Sequence, residues 1–112
     1  MKDMQGDPLT GDRLVRVLAA LANPHRIRIL AALAADRVHV SGLARRVGLS
    51  RPLVHMHLQR LEAAGLVAGS LELSEDGKAL KFFEVTPFAL ELTPAVIAAA
   101  AETLTDLKEE GE

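Results

Sequence analysis

The residues of this chain whose types and spacing could do chemistry crowd into one stretch, SRPLVHMHLQRL, from Ser50 to Leu61. His55 and His57 flank Met56, and Arg51 and Arg60 stand near the two ends. Histidine pairs can hold a metal or carry a proton, whereas arginines set among apolar residues suit a negatively charged surface. Spacing separates these chemistries. On a helix, positions i and i+2 lie about 200° apart, so His55 and His57 cannot close on one ion as an i, i+4 pair could. His57 falls beside the apolar stripe of Val54, Leu58 and Leu61 and is expected to be a hydrogen-bonded packing histidine. The chain has no cysteine, which removes thiolate metal sites and disulfides, and no metal is expected. Of the four serines, Ser41 and Ser50 read as helix caps, and Ser70 and Ser74 fall in a hairpin. There is no glycine-rich phosphate loop, HExxH pair or paired-carboxylate pattern. The sequence does not read as an enzyme, and no cofactor is expected.

Charge supports the polyanion reading. Arg13 to Arg60 holds nine arginines and one acid, Asp36, a segment charge of +8. Leu61 to Glu112 holds three lysines and eleven acids, a segment charge of −8, and the first twelve residues carry the remaining −2. Such asymmetry between halves points to a polyanion on one part of the chain. The absence of Trp and Tyr argues against a platform for stacking single-stranded bases. The opening MKDMQGDPLTGDR has no apolar core of a secretion signal. The most apolar late run, AVIAAAAETL, is about half the length needed to cross a bilayer. A cytoplasmic protein without a membrane partner is expected, and 112 residues suffice for one domain with one core.

The elements that must position these residues follow from breakers and caps. Residues 1–9 read as a flexible tail, 10–92 as the body of the domain, and 93–112 as a terminal helix and tail of the same domain. A first helix starts at Asp12 and stops at Asn23-Pro24. Asn23 caps a second, with Pro24 in its first turn and Ile27, Leu30, Ala31 and Leu33 facing inward; His25, Arg26 and Arg28 lie mainly off that face. Val38 to Val40 reads as a very short strand or an extended entry, and Ser41 then caps a third helix, GLARRVG, with Leu43 and Val47 inward. Gly48 closes that helix in the left-handed conformation. Ser50 caps a fourth helix, which carries Pro52 in its first turn, runs to Ala64 and ends at Gly65. LVAGSLEL and ALKFFEVT form a hairpin across SEDGK, with Asp76 and Gly77 both at positive φ in the turn. Thr93 or Pro94 opens a last helix to about Lys108. The fold class is mainly α with a small β-hairpin, in the order α-α-α-α-β-β-α: a winged helix-turn-helix.

In that motif the second helix of the pair enters a major groove of double-stranded DNA. At about 100° per residue, Val54, Leu58 and Leu61 form the buried stripe. Pro52, Met56, Gln59 and Ala63 point away, flanked by His55 and Arg60. Ser50 and Arg51 occupy the amino-terminal end, where free N–H groups meet DNA. Ser50, Arg51, Pro52, His55, Met56, Gln59 and Arg60 are therefore the expected reading surface, with Arg45 and Arg46 as phosphate clamps. Lys78 and Lys81 sit on the wing, which either reaches an adjacent groove or is structural; Glu72, Glu75, Asp76 and Glu84 weigh against the first role. The first helix is apolar on all sides and the last carries a long Ala-Ile-Leu face, more than one small domain can cover. Leu14, Val17, Leu18 and Leu21 with Ile97, Ala100, Ala101, Leu104 and Leu107 are expected to pair with a second copy, setting two reading helices one DNA turn apart.

LANPHRIRILAAL followed by VSGLARRVGLSRPLVHMHLQRLEAAGLV resembles the winged helix-turn-helix repressors of the ArsR type, over about residues 12–88. The resemblance implies a homodimeric DNA-binding transcriptional regulator, with Ser50 to Leu66 matching the recognition helix and the terminal helices forming the dimer. Metal-sensing members carry a Cys-x-Cys pair where this chain has His39 and Ser41; others use histidine and carboxylate ligands on the last helix, which here has no histidine. A repressor without the thiolate metal site is the reading this supports, with its effector unknown. Two alternatives stay open: a winged-helix protein-interaction module that never touches DNA, and a small-molecule-sensing regulator with a pocket among Phe82, Phe83, Phe88 and the C-terminal helix.

Overall fold

The computed structural model describes residues 9–105. Five helices and three strands follow in order: α1 (Gly11–Leu21), α2 (Pro24–Ala35), β1 (Val38–His39), α3 (Val40–Val47), α4 (Arg51–Ala63), β2 (Val67–Leu73), β3 (Ala79–Val85) and α5 (Pro94–Ala101). This is the expected winged helix-turn-helix order, and the short strand at Val38 joins the hairpin. β1 pairs antiparallel with β3 through Val38–Phe83 and His39–Phe82, giving a sheet of order β1-β3-β2.

Each helix starts where a short polar side chain can take an orphan N–H. Thr10, Asn23, Ser50 and Thr93 cap α1, α2, α4 and α5. The third helix departs from expectation. Val40 opens α3 instead of extending β1, and His39 is the cap, its Nδ1 accepting the Gly42 N–H at 3.1 Å. Ser41 thus lies inside the first turn and is no cap. Gly48 (φ 73°) closes α3 and Gly65 (φ 78°) closes α4, both in the left-handed region. At Gly65 the N–H of Leu66 reaches the carbonyl of Leu61 and that of Gly65 reaches Glu62, the Schellman pattern.

The core is built from Val17, Ile29, Leu33, Leu43, Val54, Leu58, Leu61, Leu66, Val67 and Phe83. The inward face of α2 is the expected one in part: Leu33 is buried and Leu30 packs against the core, but Ile29 is buried in place of Ile27, and Ala31 is exposed. The HRIRIL run alternates isoleucine with arginine, so either isoleucine could turn inward on periodicity alone, and packing against α4 and β3 selects Ile29. Arg26, three residues earlier, goes inward with it. The wing turn also differs. Ser74 to Lys78 forms a three-residue loop in which the Gly77 N–H bonds the Ser74 carbonyl and the Ser74 N–H bonds that of Lys78. Only Gly77 has positive φ (87°), so Asp76 does not, and the turn is the G1-bulge form.

The last helix is shorter than its sequence suggests. It ends at Ala101, where Thr103 turns back to accept the N–H of Gly11 at 2.7 Å and Thr105 bonds the carboxylate of Asp12. The start of α1 thereby captures the chain after α5. Lys108, the expected helix end, and residues 1–8 of the expected tail lie outside the described residues. No single helix among the described residues is long and apolar enough to cross a membrane.

Candidate nucleic-acid interface

Only Gly48, Leu49 and Ser50 separate α3 from α4, so the two short helices form one rigid corner. Ser50 Oγ accepts the Leu53 N–H at 3.3 Å and sets the start of α4. Val54, Leu58 and Leu61 are fully buried, which fixes the rotation of the helix about its axis. That rotation brings Arg51, Pro52, His55, Met56, Gln59 and Arg60 to the exposed side, with Ser50 exposed at the amino-terminal end. Leu53, 45% exposed, joins this surface and is not among the residues expected there. Residue type alone does not mark a leucine as exposed, and only the rotation of α4 brings it to the surface.

Arg45 and Arg46 are exposed in the last turn of α3, where the helix dipole favours cations. A groove of about 390 Å³ runs along the corner, lined by Ser41, Ala44, Arg45, Gly48, Leu49 and Arg51. Within it Arg51 Nη1 donates to Ser41 Oγ at 2.9 Å. The surface is therefore cationic, apolar in part, and shaped as a ridge with a groove beside it.

The two histidines of α4 part as their spacing requires. His55 is exposed; His57 is 5% exposed, and its Nδ1 lies 3.1 Å from Arg26 Nη1. Arginine can only donate, so the His57 ring accepts there and is neutral. Burial first, and then the neighbouring Arg26, His25 and Arg60, hold its pKa below the ordinary 6.5. Arg26 also donates Nε to the carbonyl of Ala20 at 2.7 Å, joining the end of α1 to the inner face of α4. The sequence had placed Arg26 off the buried face of α2. No group of three or more His, Asp or Glu side chains suited to a metal forms among the described residues.

On the wing, Lys78 is exposed at the tip, whereas Lys81 bends back with Nζ 5.4 Å over the Phe83 ring. Two of the acids that weigh against a polyanion are engaged: Arg37 pairs with Glu72 and with Glu84 (3.9 Å), and its guanidinium stacks on Phe82 at 4.6 Å. The aromatic residues of the alternative small-molecule reading divide between core and surface. Consecutive strand residues face opposite sides of a sheet, so Phe83 enters the core while Phe82 lies under Arg37.

The residues expected to meet a second copy divide. Leu14 (6%), Val17 (0%) and Ala100 (2%) are already buried within the protomer. The first helix is apolar on all sides and the last carries an Ala-Ile-Leu face, yet α1 turns one side to the core and α5 packs against α1. Leu21 packs against that core as well. Leu18, Ile97, Ala101 and Leu104 remain exposed, and Val15 (56%) and Leu92 (48%) join them. Leu107 lies outside the described residues.

A family model for a helix-turn-helix domain matches residues 21–69, which span α2 to the first residues of β2. An uncharacterized helix-turn-helix-type transcriptional regulator of Methanocaldococcus jannaschii is 34% identical over 84 residues, covering 75% of this chain and 87% of that protein. The homodimeric winged helix-turn-helix DNA-binding domain of a possible ArsR-family transcriptional regulator from Mycobacterium bovis is similar in structure (TM-score 0.61, 25% identity), over 91% of this chain and 82% of that one. NolR from Sinorhizobium fredii is similar over 81% and 80% of the two chains, with a TM-score of 0.56 and 26% identity.

Proposed function

The chain belongs to the ArsR-type helix-turn-helix transcriptional regulators, and from that membership we propose that it is a homodimer that binds double-stranded DNA sequence-specifically and acts as a repressor. The observation that carries this reading is α4: three fully buried residues lock its inner side and leave Arg51, His55, Met56, Gln59 and Arg60 on one exposed face. Arginine and glutamine can make paired hydrogen bonds to base edges, and Met56 offers an apolar contact for a thymine methyl. Ser50 and Pro52 complete the reading end, and Arg45 and Arg46 hold phosphates from α3. On the wing, Lys78 touches the backbone from the tip, and Lys81 is held on the sheet by Phe83.

Dimerisation runs through the exposed apolar residues of α1 and α5, in keeping with the homodimeric relative. A two-fold axis there sets two copies of α4 one DNA turn apart. The regulator works in the cytoplasm, has no catalytic activity and does not sense metal through thiolates, since it has no cysteine. Leu71 (70% exposed) and Leu73 (76%) on the wing favour a second reading, a protein-interaction module that never meets DNA.

Selection of bound sequences from random duplex DNA, followed by fluorescence anisotropy on the selected and a scrambled duplex, tests the choice. Arg51→Ala is expected to weaken the selected duplex far more than the scrambled one, since one bidentate guanine contact is worth roughly 1–3 kcal/mol of discrimination. A wild type that binds neither duplex at low salt would overturn the DNA reading and leave the interaction module.

A further inference from the structure

Ser41 has the residue type of a helix cap but not the position of one. His39 already takes the Gly42 N–H, so the Ser41 hydroxyl sits in the first turn of α3 without a capping role. It turns instead across the helix-turn-helix corner and accepts Nη1 of Arg51 at 2.9 Å, ten residues along the chain. Among the described residues the Arg51 side chain makes no other hydrogen bond or ion pair. Ser41 is half-buried and Arg51 is exposed, so a hydroxyl seated on the scaffold holds one end of a side chain whose remainder faces solvent.

A guanidinium carries five N–H donors in one rigid plane. With one Nη1 donor engaged, the edge formed by Nε and Nη2 stays open. Two parallel donors on one edge are what the O6 and N7 acceptors of a guanine in the major groove require. We infer that Ser41 is a positioning residue for sequence reading, holding Arg51 so that its open edge faces a guanine; this rests on the DNA-binding reading above. An arginine free to explore its rotamers loses that freedom on binding, and fixing one such side chain beforehand corresponds to roughly a two- to tenfold gain in affinity. The gain is realised only where Arg51 meets its base, so it appears as discrimination.

The test uses the full chain, with anisotropy titrations on the selected and scrambled duplexes. The proteins compared are the wild type, Ser41→Ala, Ser41→Thr, Arg51→Ala and the Ser41→Ala/Arg51→Ala double variant. Alanine is a good helix former, so Ser41→Ala leaves α3 intact. Ser41→Ala is expected to lower the ratio of selected to scrambled affinity about two- to tenfold with little change on the scrambled duplex. Ser41→Thr, which keeps the hydroxyl, restores the ratio. In the Arg51→Ala background the Ser41→Ala substitution has no further effect. An unchanged or increased ratio in Ser41→Ala overturns the inference, the increase meaning that the bond hides Arg51. An equal loss with and without Arg51, or on both duplexes, overturns it too by placing Ser41 in a general structural role. If Arg51→Ala leaves the ratio unchanged, the inference fails while DNA binding stands. A wild type that binds neither duplex instead removes the DNA reading itself, so the two failures are distinguishable.

Discussion

His57 is the buried polar residue on the inner side of α4. Its neutral ring accepts from Arg26, and protonation would remove that acceptor and add a charge facing Arg26 and His25 on α2 and Arg60 on its own helix. No carboxylate is among the groups that shift it. The folded pKa is therefore lowered by burial first and by these neighbours second. The unfolded chain then binds the proton more readily, so stability rises with pH between the two values. The His57 contribution is complete above about 6.5 and is lost as pH falls from there through the lowered folded value. Urea unfolding midpoints taken from pH 7.5 to 5 should fall in this window for the wild type and fall less for His57→Gln. Equal slopes for the two proteins would dismiss this account. Arg26→Met should remove both the bond to His57 and the bond to the Ala20 carbonyl, with a loss of about 1.5–3 kcal/mol in the same measurement.

At the scale of elements, two glycines set how helices meet, for different reasons. Gly48 turns α3 into α4 with φ 73° and ψ 32°, and a β-carbon there would meet nothing within 4 Å. Its requirement is purely conformational, so Gly48→Ala should destabilise the fold by about 1–2 kcal/mol, read by thermal or urea unfolding. Gly11 stands where α1 touches the chain after α5, and a β-carbon would lie 2.6 Å from Leu104 Cγ. That contact makes Leu104→Asp an ambiguous test of dimerisation, because Leu104 also closes the protomer; it should give a monomer or an unfolded chain. Val15 is more than half exposed, and its truncation leaves the core untouched. Val15→Glu should therefore yield a folded monomer by sedimentation, with helical circular dichroism retained. A wild type that sediments as a monomer at micromolar concentration would refute the dimer.

For the whole molecule, the segregation of charge along the chain becomes a segregation in space only in part. Arg37 is drawn to Glu72 and Glu84 on the wing, and Arg26 is turned inward, so neither belongs to the cationic face. Arg45, Arg46 and Arg51 remain exposed at the corner of α3 and α4, and Arg60 in the last turn of α4. Binding to any duplex should then weaken with salt, and Arg45→Ala should reduce the slope of log affinity against log salt by about one unit while leaving discrimination unchanged. Zinc or nickel should leave DNA affinity as it is. A tenfold metal-dependent loss that disappears in His39→Ala or His57→Ala would contradict the absence of metal sensing.

Caps, breakers and period were legible without coordinates because each acts within one turn of chain. Asn23-Pro24, Gly48, Ser50-Pro52, Gly65 and Thr93-Pro94 bound their helices as expected, and the Val54, Leu58, Leu61 stripe gave α4 its inner side. The same stripe predicted the face on which Met56 and Gln59 stand. Where two local solutions were nearly equal, only tertiary packing decided. Ile29 turned inward instead of Ile27 because α4 and β3 lie on that side, carrying Arg26 to His57. His39 displaced Ser41 as a cap because pairing with β3 holds the chain extended up to His39, releasing the serine to meet Arg51. The last helix stopped at Ala101 because Gly11 and Asp12 at the head of α1 offer partners to Thr103 and Thr105. Helix ends and faces follow from neighbours a few residues away, whereas the choice between competing partners follows from groups ten to ninety residues distant, which no local pattern records.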